Sequence, residues 1–534
     1  MKLKRLVIPN HKGFVEFETT FDTTTPITTV IGVNGVGKSN LIEIIVSIFR
    51  ALELGESTSF DYTLSYECRG HNIDVSYSTT DKARSSVVID SVNRSFAHLK
   101  KMANEYLPLN IFTYYSGTNE RVEQLFTKHQ TRFYNALTNG DSQLMRRFFY
   151  CRDVHSFFVL LAFLVDDDPA CKEILGRLGI KSLDSVLFCL KKPYWFKNKP
   201  SQIMLDDGDH RFWYSRGVVK DFLSTMWKYS IAPIDNKERK TVDFRGRSEN
   251  QERLYLFLPD DDSLRGLASE YIDTTEFFMN IESTYIADLL ESVEVTVTLE
   301  NGQQVTFDQL SEGERQLLTV LGLMKFTRND ESLFLLDEPD THLNPRWKLK
   351  YFDRIKSILD FNIEGSDKTA LDSSQVLLTT HDPLMLTALN AEQIRVLSWN
   401  KERTKKTSEL PEIDPNTMGV EAIIQSELYG IRTSLDMSIQ NLIDERNELL
   451  NSIELETDPE RKEDLVSSLK AKNIELDSLG QSISHPDPYF SNFAKAMSQS
   501  ELFRRPHYTQ DEYRKLQELA VRKLSEVLSK EGGK

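Results

Sequence analysis

A glycine-rich stretch near the N-terminus has the residue types and spacing of a phosphate-binding loop. Residues 32–39 read G-V-N-G-V-G-K-S and match the pattern G-x-x-x-x-G-K-[ST]. Glycines let the backbone approach closely, so its N–H groups and the start of the next helix can face phosphates. A helix-capping glycine turn would lack the lysine and serine at these offsets. The residues we expect to bind nucleotide are Gly32, Asn34, Gly35, Gly37, Lys38, Ser39 and Asn40.

Within this loop, two side chains have distinct chemical roles. Lys38 is expected to reach the β- and γ-phosphates and to act in catalysis, and the Ser39 hydroxyl is expected to ligate Mg²⁺. Much further along the chain, Asp337 and Glu338 follow a continuous apolar run. We expect Asp337 to hold the same Mg²⁺ and Glu338 to orient or deprotonate the attacking water.

A histidine follows a third apolar run. His381 comes directly after residues 375–380, which read Q-V-L-L-T-T. A lone histidine in such a place is more often structural than catalytic. Its spacing from Asp337, however, leaves room for one helix and a loop, so the two can lie on neighbouring strand ends. We therefore predict that His381 touches the γ-phosphate.

The segment L-S-E-G-E-R-Q at residues 310–316 precedes the acidic pair. Taken alone, Ser311 and Glu314 form a capping box, the ordinary start of a helix. However, the strand that ends in Asp337 and Glu338 lies just beyond it.

These residues must be positioned by strands that end at one edge of a sheet. Residues 28–31, 333–336 and 375–380 are β-branched or apolar runs of the kind found in buried parallel strands, and residues 40–50 read as a helix. Alternation over 293–299 and 304–307 around Asn301-Gly302 predicts a hairpin. The chain is therefore predicted to be α/β, with ligands bound at the carboxyl ends of the strands.

Composition excludes several protein classes. The chain has 65 basic and 81 acidic residues and a formal net charge of −16, which argues against a protein that coats nucleic acid indiscriminately. The longest apolar run, residues 157–165, is shorter than the ~20 residues of a membrane-spanning helix. The cysteines are scattered without a C-x-x-C pair, so they indicate neither disulfides nor zinc. We expect a globular cytoplasmic protein without a membrane partner.

The order of these motifs resembles the ABC-type ATPase superfamily. This chain matches the family's Walker A, its signature, its Walker B with a following glutamate, its D-loop at residues 340–345 and its switch histidine. The signature resembles the SMC, Rad50-like and RecF-like branch more than it resembles membrane transporters. The resemblance implies an ABC-type P-loop head with a mixed sheet flanked by helices, and ATP and Mg²⁺ as ligands. It also implies head-to-tail dimers, or higher oligomers through the heads. In them, Ser311 and Gly313 of one subunit would meet the γ-phosphate held by Lys38 of the other. The resemblance thus implies that Ser311, Gly313 and Glu314 of the signature and Asp340 of the D-loop contact nucleotide.

Two family features are not evident. A Q-loop glutamine is missing after the strand at 109–115, so Ser116 or Asn119 could replace it. The segment His11-Lys12-Gly13-Phe14 resembles the loop that lies against the adenine, but a simple turn fits it equally well.

The chain is predicted to divide into four regions. Residues 1–120 and 291–400 form the two halves of the head, residues 121–290 a mainly helical insertion, and residues 401–534 a helical hairpin and C-terminal helices that dock a partner. Basic clusters in the insertion could bind nucleic acid, although a solvated face is the commoner explanation. They contain Lys128, Arg132, Arg146, Arg147 and Arg152; residues 191–199; and Lys237, Arg239, Lys240, Arg245 and Arg247.

A narrower resemblance is to the ATPase subunit of Septu-type antiphage systems, including retron-associated members. It is carried by residues 114–119 and by the tail near Asp487-Pro488. It implies a separate HNH-type nuclease partner and, for retron-linked members, a reverse transcriptase with its RNA–DNA product (msDNA). No nuclease motif of its own is evident. A RecF- or Rad50-like repair ATPase acting directly on DNA would share every catalytic residue, whereas a transporter or translation ATPase fits the inserted region poorly.

Overall fold

The computed structural model describes residues 1–117, 120–141, 147–197, 199–241, 248–327, 331–360, 373–400, 402–431, 435–479, 493, 497, 500, 502–504 and 510–531. This described chain divides into two compact units. The first comprises Met1–Val30, Asn34–His381 and Lys405–Ser408. The second comprises Ile31–Val33, Asp382–Thr404 and Glu409–Lys534.

The strands and helices of the described residues are numbered in chain order. The strands are β1 Lys2–His11, β2 Phe14–Thr20, β3 Ile27–Gly32, β4 Tyr62–Cys68, β5 His71–Tyr77, β6 Ser86–Ile89, β7 Val92–Arg94, β8 Ile111–Tyr115, β9 Phe148–Tyr150, β10 Ile180–Lys191, β11 Ile231–Thr241, β12 Ser248–Leu258, β13 Leu290–Leu299, β14 Gln304–Thr306, β15 Leu333–Asp337, β16 Gln375–Thr379, β17 Ile394–Trp399 and β18 Lys406–Glu409. The helices are α1 Lys38–Leu54, α2 Phe96–Lys101, α3 Ala103–Tyr106, α4 Glu120–Thr138, α5 His155–Val165, α6 Pro169–Arg177, α7 Gln202–Asp207, α8 Gly217–Tyr229, α9 Asp261–Ala268, α10 Thr274–Ile286, α11 Glu312–Thr327, α12 Pro345–Leu349, α13 Tyr351–Leu359, α14 Pro383–Leu386, α15 Val420–Gln425, α16 Met437–Leu455, α17 Pro459–Ser478 and α18 Gln510–Glu531.

A parallel arrangement in the order β3-β16-β15-β8-β9 forms the centre of the first unit. Every residue of β15 and β16 is buried, as expected for strands covered on both faces. The register aligns Asp337 with Thr379 on one side and with Tyr115 on the other. The carboxyl ends of these strands therefore meet at one edge, and the predicted α/β class is confirmed.

Two antiparallel sheets accompany this core in the first unit. One has the order β2-β1-β4-β5-β6-β7, and the other has the order β11-β12-β10-β13-β14. In the second of these sheets, β13 pairs with β14 as predicted, through a turn in which Gly302 has φ +81°. The region 121–290, expected to be mainly helical, also contains the long strands β10, β11 and β12, which the sequence did not predict.

Helices of the first unit bury their apolar faces around the sheets. The run at 157–165 lies in α5, whose residues are nearly all buried, as expected for a core helix. The signature helix α11 is buried from Gln316 to Thr327. These two helices pack directly on each other, so the signature segment is mounted on the core of the unit.

The second unit contains a helical hairpin. Helices α16 and α17 pack on each other, and the Arg446 guanidinium donates to Asn473 Oδ1 at 2.9 Å. The hydrophobic spacing predicted both helices, and α18 is the expected last helix. Asp487 and Pro488, which carry part of the narrower resemblance, lie outside the described residues. Among described helices, none is long and apolar enough to cross a membrane.

Candidate active site

The glycine-rich loop leads from β3 into α1 as the sequence predicts. Gly35 and Gly37 have φ +81° and +110°, values that residues with a side chain rarely adopt. Gly37 caps α1, and Lys38 is the first helical residue. The loop backbone therefore presents a helix N-terminus, whose first N–H groups have no partner within the helix and, with the helix dipole, favour an anion.

Asp337 lies at the end of β15 with 2% of its surface exposed. Its carboxylate accepts hydrogen bonds from the Thr379 and Ser39 hydroxyls. Burial raises the pKa of Asp337, while these hydroxyls and the Lys38 ammonium act in the opposite direction. A hydroxyl and a carboxylate in contact provide the oxygen donors that Mg²⁺ prefers, so Ser39 and Asp337 fit a magnesium ion.

Glu338 stands between the predicted lysine and histidine. Its Oε1 is 3.8 Å from Lys38 Nζ and 3.3 Å from His381 Nδ1. Its backbone has φ +49°, and its N–H donates to Thr379 Oγ1 at 3.0 Å. Burial lowers the pKa of Lys38, and the charges of Glu338, Asp337 and Asp340 oppose this effect. The structure thus brings together the three residues predicted to be catalytic.

The signature residues make local contacts. The Ser311 hydroxyl donates to Glu314 Oε2 at 2.7 Å, and the Glu314 N–H donates back to Ser311 Oγ at 3.3 Å. The capping box that we considered as the simpler alternative is therefore present at the start of α11. Ser311 remains exposed, whereas the Glu314 carboxylate is engaged by the cap.

The signature and the D-loop are packed against each other. A Cβ on Gly313 would lie 2.2 Å from the His342 carbonyl oxygen, so only glycine fits there. The Gln316 amide donates to the Pro339 carbonyl at 3.0 Å, and its oxygen accepts from the His342 N–H at 3.3 Å. Asp340 accepts from the Thr380 hydroxyl at 2.9 Å. The D-loop is therefore tied to α11 on one side and to the end of β16 on the other.

Sequence reasoning missed Thr379 and Gln316. Thr379 is fully buried at the end of β16, and its hydroxyl joins Asp337 to the Glu338 backbone. A polar residue at the carboxyl end of a buried strand was the available signal. For the missing Q-loop, the Ser116 N–H donates to the Asp337 carbonyl at 3.1 Å. Asn119 lies outside the described residues.

The loop predicted either to touch adenine or to form a turn is a tight turn beside α1. Lys12 and Gly13 have φ +49° and +78° and connect β1 to β2. The His11 ring stacks on Phe60 with 4.2 Å between centroids. The Asn40 amide donates to the Lys12 carbonyl at 3.5 Å, which places the turn next to the phosphate-binding loop.

The basic clusters of the insertion are largely engaged in ion pairs and hydrogen bonds. Arg152 pairs with Glu123 at 2.7 Å, Lys191 with Asp288 at 2.6 Å and Lys192 with Glu252 at 3.7 Å. Arg147 donates to backbone carbonyls that include those of Ala103 and Leu107. These contacts favour a structural role over nucleic-acid binding for the residues named here. Arg146, Arg245 and Arg247 lie outside the described residues.

A cluster of potential metal ligands in α6 and the residues before it already holds a cation. Asp166, Asp168 and Cys171 lie close enough to ligate one ion. The ammonium of Lys325, on α11, is 2.9 Å from Asp166, 2.6 Å from Asp168 and 3.1 Å from the Cys171 sulfur. The lysine takes the place that a metal ion would occupy.

Solved structures similar to this chain include SMC heads. The SMC head domain from Thermotoga maritima has a TM-score of 0.32 and 11% identity, covering 77% of this chain and 100% of that chain. An Smc head bound to the C-winged helix domain of ScpA has a TM-score of 0.35 and 12% identity, covering 78% and 100%.

Comparisons of sequence identify similar families and proteins. A family described as "AAA domain, putative AbiEii toxin, Type IV TA system" matches residues 205–387. The chain is 27% identical over 172 residues to the Septu protein PtuA of Bacillus mycoides (strain KBAB4), covering 31% of this chain and 22% of that protein. It is 22% identical over 232 residues to the retron Vc95 probable ATPase of Vibrio cholerae serotype O1 biovar El Tor, covering 40% and 39%.

The chain thus spans less than half the length of these curated relatives. A second Septu protein PtuA, from Bacillus thuringiensis, is 26% identical over 179 residues. The narrower resemblance predicted from the motifs is confirmed: the chain is similar to the Septu protein PtuA and to the retron Vc95 probable ATPase, and part of it matches a family of AAA domains.

Proposed function

We propose that this chain binds ATP with Mg²⁺ and hydrolyses it to ADP and phosphate. The convergence of Lys38 and His381 on the Glu338 carboxylate, beside the Ser39–Asp337 pair, carries the proposal. Each group comes from a different part of the chain, and each is of the type that phosphoryl transfer requires.

We propose a separate task for each side chain. Lys38, at the start of α1, places positive charge beside the phosphates. Glu338 accepts a proton from the attacking water, and His381, in contact with Glu338, orients that carboxylate and faces the γ-phosphate. Mg²⁺, held by Ser39 and Asp337, would supply electrostatic stabilisation of the charge that develops on the phosphate oxygens.

Two variants separate binding from hydrolysis. Glu338→Gln should retain ATP while turnover falls by roughly 100-fold or more, because the base is lost. Lys38→Ala should lose tight ATP binding. The control is Lys172→Ala, since Lys172 is an exposed lysine paired with Asp167. Equilibrium ATP binding and phosphate release measure both effects, and a Glu338→Gln protein with unchanged turnover would refute the assignment of the base.

We further propose that the ATPase works in an antiphage defence complex and regulates a separate nuclease. The similarity to the Septu and retron proteins supports this proposal. ATP would hold two heads together, with Ser311 and Gly313 of each facing the nucleotide of the other. A reverse transcriptase and its RNA–DNA product are further partners if the system is of the retron type.

Affinity purification from the native host tests the partner proposal. Co-purification of an HNH-type nuclease, with or without a reverse transcriptase, is the expected result. Recovery of replication or recombination proteins in its place would favour the alternative of a repair ATPase acting directly on DNA.

A further inference from the structure

A lysine far downstream in the sequence lies beside the phosphate-binding loop. Lys406, the first residue of β18, is 5% exposed. Its ammonium donates to the Lys12 carbonyl at 3.4 Å and lies 4.4 Å from the centre of the Phe14 ring. The side chain therefore runs along the β1–β2 turn, which itself borders α1.

The ammonium also reaches the loop itself. A Cβ on Gly37 would lie 2.7 Å from Lys406 Nζ and 3.2 Å from Phe14 Cζ. Gly37 caps α1, so the Lys406 ammonium stands at the end of the helix where the first backbone N–H groups have no partner within the helix. The absence of a side chain at Gly37 keeps this approach open.

This position is electrostatically costly for a cation. The N-terminus of a helix carries a partial positive charge. Burial, moreover, lowers the pKa of Lys406. Lys12, which is on the adjoining turn, is paired with Glu43. A phosphate bound to the loop would offset the accumulated positive charge.

We propose that Lys406 is a nucleotide-contacting residue whose ammonium binds the phosphate chain held by the glycine-rich loop. The inference rests on the proposed binding of ATP and adds to it a contact from a segment outside all the motifs. The phenyl ring of Phe14 and the Lys12 carbonyl hold the ammonium in place through cation–π and hydrogen-bond contacts.

The test measures ADP binding, because ADP carries the phosphates without being hydrolysed. Calorimetric titration compares the wild type, Lys406→Met and Lys406→Arg over a series of salt concentrations. Lys406→Met should weaken binding by roughly tenfold or more, as expected for loss of one charge-assisted hydrogen bond, and should reduce the salt dependence of Kd. Lys406→Arg keeps the charge and should remain close to the wild type.

Lys405→Met is the matched control. Lys405 is the neighbouring residue, is 44% exposed and pairs with Glu16, so its removal should leave ADP binding unchanged. Wild-type affinity in Lys406→Met would overturn the inference. So would weaker binding with unchanged salt dependence and a lower melting temperature, since that result indicates a packing role. If the wild type itself binds no ADP, the proposed function fails first and this inference fails with it.

Discussion

Asp337 is a carboxylate placed at the end of a strand that is otherwise apolar and buried. Its charge is stabilised by hydroxyl donors and by Lys38, but burial still raises its pKa. A folded-state pKa above the ordinary value means that the ionised form at neutral pH opposes folding. The residue is thus better suited to holding Mg²⁺ than to stabilising the empty protein.

Asp337→Asn should therefore separate stability from activity. The neutral amide removes a buried charge, so the free energy of unfolding of the nucleotide-free protein should increase. The proposed ATP hydrolysis should fall by about 100-fold or more, because the proposed metal ligand is lost. Urea unfolding and phosphate release measure the two effects. Asp353→Asn, at an exposed acid, should change neither, and a destabilised Asp337→Asn protein would contradict the argument.

At the residue scale, the spacing in the sequence predicted which of the candidate catalytic side chains lie close together. Lys38, Asp337, Glu338 and His381 follow strand ends or a glycine loop, and strand ends of a parallel sheet necessarily converge. For Glu314 both a capping box and a nucleotide contact were considered; its carboxylate caps α11, and the nucleotide contact stays a prediction. A single sequence could not choose between these roles, because the same spacing serves both a capping box and a signature.

At the scale of secondary-structure elements, the contact between α11 and α5 depends on one glycine. A Cβ on Gly322 would lie 2.1 Å from Val159 Cγ1. Valine is branched at Cβ, so its methyl groups cannot easily move away. Gly322 therefore sets the distance between the signature helix and the core helix beneath it.

Gly322→Ala should destabilise the protein by about 1–3 kcal/mol through overpacking. Removing the obstructing methyl groups with Val159→Ala should restore part of the loss in the double variant. Urea unfolding of the wild type, both single variants and the double variant yields the coupling energy. Gly176→Ala is the control, because Gly176 lies in a helix with only the Glu300 carboxylate, at 4.0 Å, near its added Cβ. Additive effects of the two substitutions would contradict the proposed contact.

Lys325 of α11 contacts Asp166, Asp168 and the Cys171 sulfur, and Cys171 lies in α6. This contact predicts that the stability of the protein depends on pH. Burial raises the pKa of the Cys171 thiol to about 12, while Lys325 opposes this shift. The folded state thus favours the neutral thiol, and the stability this provides is lost as pH rises above the ordinary thiol pKa of about 9.

The free energy of unfolding should therefore fall between pH about 9 and about 12, by at most about 1.4 kcal/mol per pH unit from this group. Cys171→Ala should show a shallower decline in the same range, and the difference between the two proteins isolates the thiol from other titrating groups. Denaturant unfolding across the pH series measures it, and parallel curves would disprove the contribution.

The sequence predicted some strands and missed others, and the difference has a physical reason. β15 and β16 are covered on both faces, so their continuous apolar sequences are distinctive. β11 contains Lys237, Glu238, Arg239 and Lys240, and it lies at the edge of its sheet. Its charges made it resemble a basic surface cluster, and only pairing with β12 shows it to be a strand.

At the scale of the whole molecule, the proposed dimer shares each site between two chains. Ser311→Arg should block one contribution and Lys38→Ala the other, so each variant alone should be inactive. Mixing them should restore between about a quarter and about a half of the wild-type hydrolysis, because each mixed dimer retains one intact composite site. Phosphate release from the mixture measures this rescue. A mixture as inactive as its components would argue against sites completed in trans.

The central sheet also has a consequence for biosynthesis. β3 pairs with β16, which places Ile27 opposite Val376 although most of the chain separates the two in sequence. β8 likewise pairs with β15, which comes much later in the sequence. During translation the glycine-rich loop therefore leaves the ribosome long before the strands that complete its sheet. The nascent chain must carry unpaired apolar strand edges throughout that interval, which makes it a natural client for chaperones and slow to reach the native state.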